Sequence, residues 1–143
     1  MSQVMTVDAM TRQSQRAVGA AFDGGPGTIR AARNLTAAFL AQAEEQGVRI
    51  AARQTEDVCL VVSELVTNAA KYAPGPCLLD LELTEDAVRV TLWDTDGSTP
   101  VPSGSDAQRV GQHGLEIVFA LCRRFEVLRQ ADGKRVQVEL PLS

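Results

Sequence analysis

Ser63-Glu64-Leu65-Val66-Thr67-Asn68-Ala69-Ala70-Lys71-Tyr72-Ala73 sets an acid and an amide four positions apart inside an otherwise apolar run. At i and i+4 of a helix two side chains project from one face, about one turn apart. The helix follows from Val58, Val61, Val62, Leu65, Val66 and Ala69, which recur at the three- and four-residue intervals of a core stripe. Glu64, Asn68 and Lys71 fall off that stripe together. A carboxylate that accepts a proton, beside an amide oxygen that ligates a hard cation, is what a nucleotide-phosphate site needs from one helix. Such a pair in isolation reads as a solvated face, so its meaning depends on the rest of the chain.

This helix is expected from about residue 51 to 73, ended by Pro74-Gly75-Pro76, which cannot continue the helical ladder. Upstream, residues 1–14 lack periodicity and read as a flexible tail, leaving 15–143 as one domain. Ala17 to Phe22 is expected as a short edge strand, turned by Asp23-Gly24-Gly25-Pro26-Gly27 into a first helix that runs from Gly27 or Thr28 to about Gln46 and stops at Gly47. Ile29, Ala32, Leu35, Ala38, Phe39 and Leu40 supply its apolar surface. Downstream, Cys77–Thr84 and Ala87–Trp93 alternate as an antiparallel hairpin about Glu85-Asp86, with Leu79, Leu81 and Leu83 on the same buried face as Val88, Val90 and Leu92. Asp94 to Gln112 reads as a long polar loop with the role of a lid, and a short helix opens near Gly114. Phe125–Arg129 and Arg135–Leu140 close the chain as a hairpin through Asp132-Gly133. The expected fold is an α/β (α+β) two-layer sandwich, a mostly antiparallel, mixed sheet with helices packed on one face.

The 143 residues are 45% hydrophobic, enough for one core and too few for two. A formal charge of -4 argues against direct nucleic-acid binding, which requires a basic surface. Cys59, Cys77 and Cys122 form no CxxC or Cys/His cluster, so neither a zinc site nor a disulfide framework is indicated, and an odd count fits a reducing compartment. No leader pattern is seen, and no apolar run approaches the ~20 residues that cross a bilayer. A cytoplasmic location away from membranes is the expectation.

Asp94-Thr95-Asp96-Gly97 follows directly on a buried strand. A carboxylate delivered there can accept a hydrogen bond from an exocyclic amine such as that of adenine, and Gly97 lets backbone approach a flat base. Gly111-Gln112-His113-Gly114-Leu115 would close the lid and open the next helix, turning free N–H groups and the positive dipole end toward a phosphate. His113, the only histidine, is a candidate phosphate contact.

Acid plus amide on a helix, then strand-Asp-x-x-Gly, a polar lid, and Gly-x-x-Gly-Leu resembles the GHKL ATPase superfamily of gyrase, Hsp90, histidine kinases and MutL. Val62 to Ala70 and the compact length are similar to its anti-sigma-factor serine/threonine kinase branch, of actinobacterial type. The resemblance spans about Arg16 to Leu140. It implies ATP and Mg²⁺ as cofactors, Asn68 as metal ligand, and Glu64 as catalytic base toward a serine or threonine hydroxyl. Asp94 and Gly97 would then hold adenine, Gly111, Gly114 and Leu115 would wrap the phosphates, and Lys71 or Arg109 would add positive charge. Tyr72 stands where the family often has histidine, and Gln112 where a second glycine is common.

The resemblance also implies partners. A sigma factor would be sequestered, and an anti-anti-sigma antagonist would carry the phosphoacceptor. A homodimer is allowed for, with the Ala-rich first helix as one candidate contact. The alternative is a nucleotide-holding module that acts by protein binding alone. A sensor histidine kinase fragment ranks below both, because no dimerisation helix carries a phosphoacceptor histidine.

Overall fold

The computed structural model describes residues 16–94, 106–131 and 133–143. The expected tail, Gly97, Asp132 and the lid segment 95–105 lie outside the described residues. Eight elements follow in chain order: β1 (Arg16–Phe22), α1 (Thr28–Glu45), α2 (Ala52–Tyr72), β2 (Cys77–Leu83), β3 (Ala87–Asp94), α3 (Asp106–Leu121), β4 (Arg124–Gln130) and β5 (Gly133–Pro141). The strands order as β1-β2-β3-β5-β4, and every pairing among the described residues is antiparallel. The two-layer sandwich expected from the sequence is the observed fold, its sheet antiparallel among the described residues where a mostly antiparallel, mixed one was expected.

Register decides which side chains meet the helices. Leu79 pairs with Leu92, Leu81 with Val90 and Leu83 with Val88; β5 continues these rows with Val136, Val138 and Leu140. Side chains alternate with period two, so these rows share one face, and nearly all of them are buried. The α2 stripe packs into the same core: Val58, Val61 and Val62 are fully buried, and Leu65, Val66 and Ala69 nearly so. Asp94 carries the same parity as Val88, Val90 and Leu92. The buried face therefore ends in a carboxylate.

Two expectations about helices need correction. The buried stripe of α1 is Thr28, Ala32, Thr36, Leu40 and Ala43, while Ile29 and Ala38 are exposed. Thr36 hides this stripe from an apolar count, because its hydroxyl donates to the Ala32 carbonyl at 2.8 Å and is thereby tolerated in the core. The third helix does not open near Gly114 but at Asp106, eight residues earlier than its glycines suggest. Asp106 suits a helix N-terminus, Ala107, Gln108 and Arg109 are good helix formers, and each interior glycine costs about 1 kcal/mol without forbidding the helix.

The β2–β3 turn is tied to the far strands by Arg123. Its guanidinium donates to both Asp86 carboxylate oxygens, at 3.0 and 3.3 Å, and through Nε to Glu139 at 3.1 Å. Hydrogen bonding to Arg123 holds the Asp86 carboxyl below the usual carboxylate range. A depressed folded-state pKa contributes stability that is present above the unfolded value, about 3.9, and is lost as pH falls through the folded one. Asp86→Asn is therefore expected to lower the melting temperature at pH 7, with the deficit closing below about pH 4. A deficit that persists unchanged to pH 2 in thermal denaturation would contradict this role.

Candidate functional site

Glu64 and Asn68 project from α2 one turn apart, both half-buried. Opposite them, α3 approaches so closely at Gly114 that a Cβ there would overlap Glu64 Oε1. This glycine is set by packing and not by a turn, since it lies mid-helix. Leu115, the next residue, turns into a cavity of about 190 Å³ shared with Leu65, Asn68, Ala69, Tyr72, Leu92, Asp94, Phe125, Val127, Arg129, Lys134 and Val136. The walls come from α2, α3 and the β3, β5 and β4 strands. The volume is below the roughly 300–1,000 Å³ of pockets that enclose a whole drug-sized ligand, so it suits one ring system with the remainder of the ligand outside.

The polar floor is formed by two neighbouring strands. Asp94 ends β3 and Lys134 sits opposite it in β5, with Nζ 3.5 Å from Oδ2; both residues are 7% exposed. On the other flank Cys77 pairs with Asp94, and burial first, then the Asp94 and Asp23 charges, push its thiol pKa up. Cys77 is thus an inert neighbour and not a nucleophile. Apolar walls above a buried acceptor suit a flat heteroaromatic ring that carries an exocyclic amine.

Among the described residues no three His, Cys, Asp or Glu side chains cluster to hold a metal. A cation here would depend on Asn68 and on oxygens supplied by its ligand. Mg²⁺ fits that donor set, because it usually keeps several waters and binds through few protein groups plus substrate phosphates.

Of the residues singled out from the sequence, Asn68, Asp94 and Leu115 meet in one cavity, and Glu64 adjoins Gly114 one helical turn from Asn68. Lys71 is exposed and does not line the cavity. Gly111 and His113 belong to α3, the His113 side chain and all of Gly97 lying outside what is described. Because α3 starts at Asp106, neither Gly111 nor Gly114 stands at its N-terminus, and the dipole-end phosphate cradle expected at Gly114 is absent from this conformation. Sequence reading missed Lys134 and Phe125. The available signal was parity: Lys134 falls in the Val136, Val138, Leu140 series, so its row is the buried one.

A larger hollow of about 820 Å³ lies elsewhere, between the Gly24–Gly27 turn and α1 and α2, with Arg30, Arg33 and Asn34 on its wall. It has size but no buried carboxylate or amide pair. The chemistry favours the smaller site.

No helix among the described residues is long and apolar enough to cross a membrane. The structure of the RsbU and RsbW domains of Rv1364c from Mycobacterium tuberculosis aligns over 89% of this chain and 33% of that one, at 18% identity and a TM-score of 0.62. This chain thus spans about a third of that structure's length, and at such identity the likeness concerns fold alone. The histidine kinase domain of the blue-light activated kinase of Erythrobacter litoralis EL346 aligns over 62% of this chain and 44% of its own, at 24% identity and a TM-score of 0.42. Histidine kinase AdeS of Acinetobacter baumannii aligns over 99% and 76%, at 12% identity and a TM-score of 0.48. Among curated proteins none matches. The family model of the histidine kinase-like ATPase domain matches residues 25–140, most of the chain, and the protein belongs to that family.

Proposed function

We propose that this protein is an ATP-dependent protein serine/threonine kinase and anti-sigma factor of the cytoplasm, which sequesters a sigma factor and phosphorylates the antagonist that releases it. The observation that carries the kinase reading is the meeting of Asn68 and Asp94 in one cavity with Glu64 a helical turn away. The sigma factor and antagonist rest on the sequence resemblance.

Asp94 accepts the exocyclic amine of adenine within the apolar slot, and Asn68 offers its amide oxygen to the cation. When bound, Mg²⁺ neutralises phosphate charge that would otherwise repel the incoming hydroxyl. The acceptor hydroxyl oxygen forms a bond to the γ-phosphorus as the bond from phosphorus to the β,γ-bridging oxygen breaks. ADP departs with that electron pair, and the hydroxyl proton passes to Glu64. Phosphoryl transfer asks mainly for positioning and charge neutralisation, so this small set of groups suffices.

A second reading, nucleotide binding without turnover, is favoured by one observation: Gly114 is packed directly on Glu64, where an incoming hydroxyl would have to reach. Phosphotransfer from labelled Mg-ATP to candidate antagonist proteins separates the two. ATP binding without transfer would remove the kinase reading.

Glu64→Gln is expected to lower transfer by about 10²-fold or more with little change in nucleotide affinity, since it removes a base and not a binding contact. Asn68→Ala should weaken Mg-ATP binding itself, read by calorimetry. Transfer at the wild-type rate by Glu64→Gln would contradict the assignment. Gly114→Ala gives a separate check. The flexible Glu64 carboxylate yields to the new methyl, so stability should change by no more than about 1 kcal/mol while transfer drops at least about tenfold through displacement of the base. Unchanged transfer would show that Glu64's position does not matter.

A further inference from the structure

Lys134 is a residue that neither its strand nor its burial leads one to expect. Lysine is almost never buried without a partner, because an ammonium loses most of its hydration there. At 7% exposed it stands beside an equally buried Asp94, and both look into the same small cavity between apolar walls that include Leu92 and Val136. Simple neutralisation of Asp94 would not require the ammonium to line the cavity. An ammonium has three donors, so one held beside Asp94 can also donate to a ligand in the cavity.

A lone carboxylate can recognise only a donor on a ligand. A carboxylate and an ammonium 3.5 Å apart recognise a donor and an acceptor side by side. Adenine presents such a pair, its 6-amino group flanked by the ring nitrogens N1 and N7. We propose that Lys134 is a specificity-determining residue of the base pocket: it donates to a ring nitrogen next to the amine that Asp94 accepts. This inference rests on the nucleotide reading of the site given above.

Calorimetric titration with ATP, 1-deaza-ATP and 7-deaza-ATP tests it on the wild-type protein and on Lys134→Met, with Lys134→Thr as a second variant and circular dichroism to verify folding. The wild type should bind one of the two deaza analogues at least about tenfold more weakly than ATP. In the variants that ratio should fall to near one, even where affinity for ATP itself drops because Asp94 has lost its partner. Equal binding of all three nucleotides by the wild type would overturn the role of Lys134, as would a discrimination that survives its replacement. Absence of any heat with ATP would instead overturn the nucleotide reading, and this inference with it.

Discussion

A carboxylate on the core face of a sheet can remain charged only if something in the structure compensates for its lost water, and in this protein that constraint organises the site. Asp94 shares the parity of Val88, Val90 and Leu92, whose side chains fill the core. The register of β3 against β5 sets Lys134 directly opposite, 3.5 Å away. A slip of one residue would turn one strand's set to the other face, separating the two groups and exposing an apolar row to water. The same pairing that builds the core thus delivers a buried acceptor and a buried donor to the edge of that core, where α2 brings Asn68.

The proposed function depends on where three elements meet, not on any one of them. α2 fixes Glu64 and Asn68 a turn apart, because its opposite stripe is locked among fully buried valines. α3 supplies Leu115 to the cavity wall and Gly114 to the face of Glu64. The sheet supplies the floor. Residues separated by up to about half the chain therefore form one compartment large enough for a base.

Much of this was legible in the sequence because periodicity carried it. The valine-rich stripe of α2 and the alternating leucines of β2 announce their elements, and the hairpin about Glu85-Asp86 fixes the register that places Asp94. Glu64, Asn68, Asp94 and Leu115 could each be picked out from local pattern. Three features could not. Thr36 occupies a core position that an apolar count passes over, because an intrahelical hydrogen bond satisfies its hydroxyl. Glycines at 111 and 114 look like a helix boundary, yet α3 runs through both, with Gly114 serving the close approach to Glu64. Lys134 looks like the polar start of a strand; its parity with Val136, Val138 and Leu140 points to the buried face, but its place beside Asp94 is set by pairing with a residue forty positions away. Tertiary contacts decide the roles of Gly114 and Lys134, and a hydrogen bond within the helix decides that of Thr36.

On the nucleotide reading, a purine occupies the cavity between α2, α3 and the β3, β4 and β5 strands, and not the larger hollow beside α1. Photocrosslinking with 8-azido-ATP followed by mass-spectrometric mapping distinguishes the two directly. Label on peptides containing Leu65 to Tyr72, Leu115 or Phe125 to Arg129 is the predicted result. Label confined to the Gly24 to Asn34 peptide would place the nucleotide in the larger hollow and overturn that assignment.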